Sequence, residues 1–352
     1  MQQGIELLTR FLPGGWPGRT EVGGHGTDLA DELRPTCARA GTAARAEKLA
    51  PLIREIPIGP SVKRTTKLTI SLVYYLVREL SRFVIRLVRR APERGLVILY
   101  YHGIPDAYRA NFVRQLESIR RTARVLPASH RGTMLSDKPN VAITFDDAYV
   151  SVAKNALPVL AARGFHSTIF VPTAMLGGTP TWQMEEGSPD SFEVVMSTEQ
   201  IANLSSPLVT LGSHSCTHPR LSRLALGEAR AEIEGSRAEL QELTKQEIQS
   251  FALPYGDHNA STIEICRTAG YEIVFSTIPA PVDTTDTAFV RGRVKTDPFD
   301  GRLEFFLKYN GAYAWAPYLS ALKRRLRGYK PSAADHRPSL GQSTPYKQSK
   351  RS

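Results

Sequence analysis

The stretch NVAITFDDAYVS, residues 140–151, places two aspartates directly after a run of apolar residues. A short apolar run that ends in polar residues is typical of a buried β-strand. Asp146 and Asp147 would then stand side by side at the carboxyl end of that strand. Adjacent buried carboxylates repel each other and lose their hydration. The fold must therefore supply something that offsets this cost.

Similar apolar runs recur along the chain and alternate with amphipathic stretches. This alternation of strand and helix patterns predicts a parallel α/β fold, and seven such units suit a barrel better than a flat sheet. In such folds the chemistry sits at the carboxyl ends of the strands, where the aspartate pair falls. The apolar runs are 96–101, 141–145, 166–171, 207–211, 249–253, 271–276 and 288–294, and the helical patterns cover 111–124, 151–163, 198–204, 226–244 and 259–269.

Other polar groups follow these predicted strands. His102 follows the first run, His214 and His218 follow the fourth, and the turn 254–256 follows the fifth. One carboxylate and two imidazoles are a common ligand set for a catalytic divalent metal. Metal binding by one aspartate would remove the repulsion, and the other could then accept the proton of an attacking water. An N–H of the turn could stabilise an oxyanion, and His102 could protonate a leaving amine.

The motifs TFDD, SHSCTHP and PYG resemble, in order and spacing, the first three motifs of the polysaccharide deacetylases (carbohydrate esterase family 4, the chitooligosaccharide deacetylase group). The resemblance covers about residues 96–300. It implies a distorted (β/α) barrel, usually of seven strands. It also implies an enzyme that hydrolyses the N-acetyl amide of an amino sugar in a polysaccharide or oligosaccharide, releasing acetate and a free amine.

The resemblance also implies roles for the residues of the three motifs. It assigns Asp146 as the catalytic base. It assigns Asp147, His214 and His218 as ligands of a metal, usually Zn²⁺, with Co²⁺, Ni²⁺ or Mn²⁺ as other divalent candidates. The substrate-binding turn would consist of Pro254, Tyr255 and Gly256, with the backbone N–H of Tyr255 lining the oxyanion site.

Two departures from the family pattern affect the predicted site. The third motif often carries an arginine two residues before its proline, and here that position is Ala252. We expect Arg293, at the end of the last predicted strand, to replace it as the partner of the catalytic aspartate. The late L-x-H motif that provides the catalytic acid in many members is missing. The sequence instead resembles the branch with a histidine at the first strand, as in poly-N-acetylglucosamine deacetylases, so His102 is expected to be the acid.

Three further features had competing interpretations. Cys216 lies between the two metal-binding histidines, and we interpret it as a packing residue. His258 is expected on the rim of the site, at a helix entry. The insertion 173–198, which contains Trp182 and Met184, could form a cleft wall that stacks on a sugar or could be a surface loop.

The net charge of +11 belongs to the flanks of the chain. Residues 63–94 carry nine basic and two acidic side chains, and residues 329–352 carry five and one. Residues 95–328 are neutral overall, which argues against a nucleic-acid enzyme, because such an enzyme would carry its positive charge around the cleft. The basic charge of the flanking segments instead indicates that these segments anchor the protein. The scattered cysteines indicate neither a disulfide framework nor a redox compartment.

The sequence therefore divides into four segments. Residues 1–62 are expected to be mostly disordered, although an upstream misassigned start codon would also account for them. Residues 63–94 are expected to form a basic amphipathic helix, 95–328 the catalytic domain, and 329–352 a disordered basic tail. The first residues, MQQGIELLTRFLPGG, lack the basic start and long apolar core of a cleavable signal peptide.

The helical pattern at residues 67–90 is strongly amphipathic and rich in arginine. Its uncharged run is far short of the roughly 20 residues that a spanning helix needs. We interpret it as a helix that lies on an anionic membrane surface and can serve as an anchor. The alternatives are a helix packed on the body with its arginines in solvent, or a signal-anchor weakened by charges. The interpretation predicts a membrane-associated protein of the bacterial cell envelope.

Three functions follow from these features. The first is a metal-dependent deacetylase of an N-acetylated amino-sugar polymer. The second is removal of an acetyl or formyl group from a lipid-linked glycan, which the helix at 67–90 favours. The third is a membrane-tethered carbohydrate-binding module with a degraded site, which Ala252 and the missing late histidine favour.

Overall fold

The structure is a computed structural model, and it describes residues 62–88, 94–134, 137–185, 187–204, 206–283 and 288–319. The predictions for residues 1–61 and 329–352 lie outside the described residues. The division of the chain into four segments stays a prediction.

In the described part of the chain, nine strands form one sheet in which every pairing between strands is parallel. Eight of them follow the order β8-β7-β6-β5-β4-β3-β1-β9, and the short β2 pairs with the beginning of β3. The strands are β1 (Leu96–Tyr101), β2 (Arg124–Val125), β3 (Asn140–Phe145), β4 (Ser167–Val171), β5 (Val209–Ser213), β6 (Ser250–Ala252), β7 (Ile273–Phe275), β8 (Val290–Arg291) and β9 (Val294–Lys295).

The two outermost strands of this order are joined by only two residues, Gly292 and Arg293. Since an extended residue spans about 3.5 Å, the two edges of the sheet must meet, and the sheet curls into a distorted barrel. Only glycine fits at position 292, because a Cβ there would collide with the backbone oxygen of Ile278. The predicted α/β barrel is confirmed, but the predicted last strand at 288–294 is two short strands that flank this junction.

The helices cover the outside of the sheet. Helix α3 follows the π-helical turn Val152–Ala156, and α7 packs beside β1. The sequence patterns did not predict β2 or α7. The helices are α1 (Val62–Val88), α2 (Arg109–Thr122), α3 (Leu157–Ala161), α4 (Thr198–Ala202), α5 (Leu226–Thr244), α6 (Ala260–Thr268) and α7 (Arg302–Tyr309).

Strand side chains alternate between two buried clusters, as expected for a parallel sheet that is covered on both faces. Val97, Leu99 and Tyr101 of β1 belong to the larger cluster, which includes residues of the surrounding helices. Leu96 and Ile98 of the same strand belong to a smaller cluster, with side chains from β3, β4, β6 and β7. The smaller cluster fills the interior of the barrel, and the candidate site lies above it at the carboxyl ends of the strands.

Helix α1 packs alongside α7. Tyr75 contacts Phe306 edge to face, with ring centroids 5.3 Å apart, and Ser71 accepts a hydrogen bond of 2.9 Å from the indole of Trp315. The helix thus packs on the barrel, as one alternative expected, but through the face that carries Arg64 and Arg78. Among the described residues, no helix combines the length and the apolar character required to cross a bilayer.

Candidate active site

The carboxyl ends of β3 and β5 bring together a group of three potential metal ligands. Asp147 Oδ1 lies 3.6 Å from His214 Nε2 and 3.5 Å from His218 Nε2. The ligand atoms of the three residues all lie within 4.8 Å of one another, and all three side chains are buried. Asp147 Oδ1 accepts no hydrogen bond from the described residues. A buried acceptor that faces two imidazole nitrogens and lacks a donor fits a cation between them.

The chain turns sharply at two of the three ligands. Asp147 has φ +67° and His218 has φ +60°, in the left-handed region that aspartate and histidine tolerate better than most residues. The loop between the histidines is held by Glu232 of α5, whose carboxylate accepts 2.8 and 2.9 Å hydrogen bonds from the backbone N–H groups of Cys216 and Thr217. The sequence analysis missed Glu232, because nothing in its helical surroundings marks it as a partner of this loop.

The orientation of His214 is fixed by a hydrogen bond of its Nδ1, on the side of the ring away from the ligand group. Its Nδ1 lies 2.8 Å from the carbonyl oxygen of Ala252 at the end of β6, so Nδ1–H donates and Nε2 presents its lone pair to the ligand group. Burial lowers the pKa of His214 to about 4 and also lowers the pKa of His218. Both imidazoles are therefore neutral at physiological pH, which is the form that binds a metal.

The two adjacent aspartates have opposite electrostatic environments. Burial raises the pKa of Asp147 to about 7, and the neighbouring carboxylate of Asp146 adds to that increase. Burial would also raise the pKa of Asp146, but the guanidinium of Arg293 holds it below its usual value. Asp146 thus stays ionised, whereas Asp147 needs a cation to do so. The residues present fit a divalent cation at Asp147, His214 and His218.

Arg293 projects from the β8–β9 junction into the barrel and forms a two-point ion pair with Asp146. The Nη1–Oδ1 distance is 2.6 Å and the Nη2–Oδ2 distance is 2.9 Å. Both side chains are buried, and the guanidinium packs against the rings of Tyr100 and Phe170, 4.7 and 5.2 Å from their centroids. The structure thus gives Asp146 an arginine partner, although the position in the third motif is Ala252. The catalytic roles of the two residues stay predictions.

The turn Pro254–Gly256 lies beside the ligand group. Tyr255 has φ +58°, and its ring centroid is 4.7 Å from that of His218. Its hydroxyl donates to the carbonyl of Gln183 at 3.1 Å, and the guanidinium of Arg220 lies 4.2 Å from its ring centroid. The N–H groups of Gly256 and Asp257 donate to carbonyls within the turn. These contacts hold the turn against the site.

The insertion at residues 173–198 also lies against the site. The indole of Trp182 stacks on His218, with centroids 4.5 Å apart and ring planes at 29°. The backbone of the insertion bonds to the segment after the aspartate pair, with Met196 N–H donating to Ala148 O at 2.9 Å. Of the two interpretations left open by the sequence, the structure therefore favours a wall of the cleft. Met184 is half-buried in the same segment.

His102 stands at the end of β1, outside the metal-ligand group. Its ring meets that of Tyr100 edge to face, and its Nδ1 lies 3.8 Å from Asp190 Oδ2 of the insertion. The side chain of Glu193 fills the space beside Gly103, where a Cβ would approach Glu193 Oε1 to 2.6 Å. The sequence analysis missed Asp190 and Glu193, since residues distant along the chain in a loop give no periodic signal.

Two other sequence-predicted residues lie at the edge of the site. His258 Nδ1 is 2.8 Å from the carbonyl oxygen of Gly256, behind the turn. The thiol of Cys216 is buried against the backbone of α5, with its Sγ 3.7 Å from Glu232 O, and it is not part of the ligand group.

A parallel (β/α) barrel that carries an Asp-His-His group beside a buried ionised aspartate is typical of a metal-dependent hydrolase. The family model of polysaccharide deacetylase matches residues 135–274 of the chain. The Bacillus subtilis protein YxkH, assigned by name to the same family, is 23% identical over 158 residues. This match covers 45% of the present chain and 52% of YxkH, so the chain spans about half the length of that relative.

Two solved structures have a similar fold. IcaB from Ammonifex degensii is 26% identical, with a TM-score of 0.50, over 63% of this chain and 99% of IcaB. The Streptococcus pyogenes deacetylase PplD, solved in complex with acetate, is 20% identical with a TM-score of 0.50, over 62% of this chain and 98% of PplD. The second likeness supports the fold alone.

The environment of Asp147 predicts a pH-dependent metal affinity. Below pH about 7 a proton competes for the Asp147 carboxylate, whereas His214 takes up its proton only near pH 4. The apparent affinity for Zn²⁺ should therefore fall by about tenfold per pH unit on acidification from pH 7, and should level off above it. Competition with a chromophoric chelator between about pH 5.5 and 8 measures this affinity.

The control variant is Cys216→Ser, which should keep the wild-type affinity, whereas His214→Ala should lose the metal. An affinity that stays constant across this pH range, or a loss of metal in Cys216→Ser, would contradict the assigned ligand set.

Proposed function

We propose that this protein is a zinc-dependent N-deacetylase that hydrolyses the N-acetyl amide of an amino sugar in a polymer or oligomer, releasing acetate and a free amine. The observation that carries the proposal is the direct adjacency of an ionised, arginine-paired Asp146 to the ligand group of Asp147, His214 and His218. The match of residues 135–274 to the polysaccharide deacetylase model supports the reaction class.

The ligand group would hold Zn²⁺ through Asp147 Oδ1 and the two Nε2 atoms. When bound, zinc polarises the amide carbonyl and acidifies the attacking water. Asp146 is the general base that takes a proton from this water as the new C–O bond forms. Its carboxylate is available for this role because Arg293 keeps it ionised while burial excludes bulk water. Arg293 also fixes both carboxylate oxygens in position.

The amide carbonyl becomes an oxyanion as the water adds. The backbone N–H of Tyr255 stabilises this oxyanion. It is available because the left-handed conformation of Tyr255 rotates its peptide group out of the direction of the preceding strand. The C–N bond then breaks, and the leaving amine takes its proton from His102. Asp190 Oδ2, 3.8 Å from His102 Nδ1, can form an ion pair with the protonated imidazole and so favour the acid form.

The walls of the cleft support a sugar substrate. Trp182 is partly exposed above His218, and Tyr255 is held beside it. Aromatic rings at the mouth of a polar site provide the apolar surface that stacks on a pyranose ring.

A second candidate is the removal of an acetyl or formyl group from a lipid-linked sugar. The observation that favours it is the row of exposed apolar side chains on α1, which would suit a substrate carried at a membrane. The intact ligand group argues against a carbohydrate-binding module with a degraded site, because such a module has no need for two neutral imidazoles and a buried carboxylate in one group.

The central test of the proposal is acetate release from an N-acetylglucosamine oligomer by the full-length protein with zinc, with chelator, and with zinc restored. Release should depend on zinc. Asp146→Asn should lower kcat by about 10²–10⁴-fold, the range for loss of a general base, and keep one bound zinc, which also reports that the variant is folded. His258→Gln, on the rim, should keep its rate.

The outcomes separate the candidates. Bound zinc without acetate release would indicate another acyl group or a lipid-linked substrate, which a comparison of soluble and lipid-linked substrates resolves. Neither zinc nor release would indicate a binding module. A near-normal rate in Asp146→Asn would contradict the assigned base.

The assignment of His102 predicts a specific kinetic signature. A leaving-group acid acts in the transition state, so His102→Gln should lower kcat by about 10²-fold and leave KM nearly unchanged. Asp190→Asn should lower kcat by a smaller factor, about tenfold, because it acts through the imidazole. Glu185→Gln, an exposed position of the same insertion, is the matched control. An unchanged kcat in His102→Gln would remove this residue from the mechanism.

A further inference from the structure

Helix α1 exposes a continuous apolar stripe. Beyond its first residue, Val62, this helix has eight large apolar side chains that are each more than half exposed, from 51% for Val84 to 83% for Val88. Their spacing places them on one side of the helix, which with 27 residues is about 40 Å long. We define the apolar stripe as Val73, Leu76, Val77, Leu80, Phe83, Val84, Leu87 and Val88.

The stripe faces outward because polar contacts hold the opposite side of α1 to the barrel. Arg64 forms a 2.7 Å ion pair with Glu304, and Arg78 donates a 2.6 Å hydrogen bond to Asn310 O. Glu79 pairs with Arg94 at 2.6 Å. An amphipathic helix on a soluble domain normally buries its apolar side. Here the arrangement is reversed, and an exposed apolar area of this length marks an interaction surface.

The charges beside the stripe indicate which partner covers it. Lys63 and Lys67 are exposed on one margin and Arg86 on the other, and the acid of the helix, Glu79, faces the barrel. A second copy placed against this surface would bring like charges together, and the tail at 329–352 is also basic. An anionic lipid surface matches both the apolar stripe and its basic margins. We propose that the stripe inserts into the interface of an anionic membrane with α1 parallel to the membrane plane.

This docking would set the direction of the active-site mouth. Arg64 approaches Asp300, which follows β9 at the carboxyl end of the sheet, and Glu79 pairs with Arg94, which precedes β1 at the amino end. Helix α1 therefore runs alongside the strands, from the level of the mouth to the opposite end of the barrel. With α1 flat on the membrane, the strands lie parallel to the surface and the mouth opens sideways along it. A glycan that lies along the surface or is held there by a lipid can enter from the side.

The experiment is flotation of the full-length protein with vesicles of phosphatidylcholine, with and without phosphatidylglycerol. The wild type should float with the anionic vesicles. Burial of one leucine contributes about a factor of ten or more to partitioning, so Leu80→Glu with Leu87→Glu should lower it by about 100-fold or more. Leu226→Glu replaces a leucine that is 60% exposed on α5 and should float like the wild type.

A charge variant tests the lipid specificity separately. Each lysine near an anionic surface contributes roughly fivefold, so Lys63→Gln with Lys67→Gln should lower binding to anionic vesicles by about tenfold or more and leave binding to phosphatidylcholine unchanged. Undiminished flotation of the Leu80/Leu87 variant would overturn the proposal. A wild-type dimer that this variant dissociates, without vesicle binding by either protein, would overturn it in favour of a second copy.

Discussion

The buried ion pair between Asp146 and Arg293 is the interaction on which the rest of the site depends. Asp146 ends β3, in the middle of the sheet, whereas Arg293 lies in the two-residue junction where the two edges of the sheet meet. Transfer of either charge alone into this interior would be very unfavourable, and two-point geometry is what offsets that penalty. Closure of the barrel and ionisation of Asp146 are therefore coupled, because each stabilises the other.

The same pair explains why two adjacent carboxylates can be buried at one strand end. Asp146 has the guanidinium of Arg293 as its counter-charge, and the ligand group of Asp147 offers a position for a divalent cation. The opposite pKa shifts of the two residues reflect this difference in environment. One aspartate is prepared to accept a proton and the other to bind a metal, although they are neighbours in sequence and equally buried. The left-handed backbone at Asp147 and Ala148 allows the two side chains to serve different partners.

The sequence was sufficient to predict those parts of the site that follow strands. Asp146, Asp147 and His214 each come directly after an apolar run, and parallel strands must bring their carboxyl ends to one side of the sheet. Arg293 could be predicted on the same basis. The split of the last strand around Gly292 could not, because it depends on the close approach of Ile278.

The sequence left open how the insertion and α1 contact the barrel, for a different physical reason. Trp182 and Asp190 lie at the site because of tertiary contacts made by an irregular segment. No periodicity in the sequence indicates such contacts. The amphipathic pattern of α1 was visible, but a pattern alone does not show which side faces the barrel. That choice depends on polar partners supplied by α7 and its flanks, such as Glu304 and Asn310.

The most direct test of the central claim is a double-mutant cycle on Asp146 and Arg293, measured by urea unfolding of Asp146→Asn, Arg293→Met and the double variant. Removal of one partner leaves a buried unpaired charge or an unpaired polar group, so each single substitution should lower the free energy of unfolding by about 3–5 kcal/mol. The double variant should lose clearly less than the sum of the two, because it leaves no unpaired charge. Additive losses would contradict the claim that this pair joins barrel closure to the ionisation of the base.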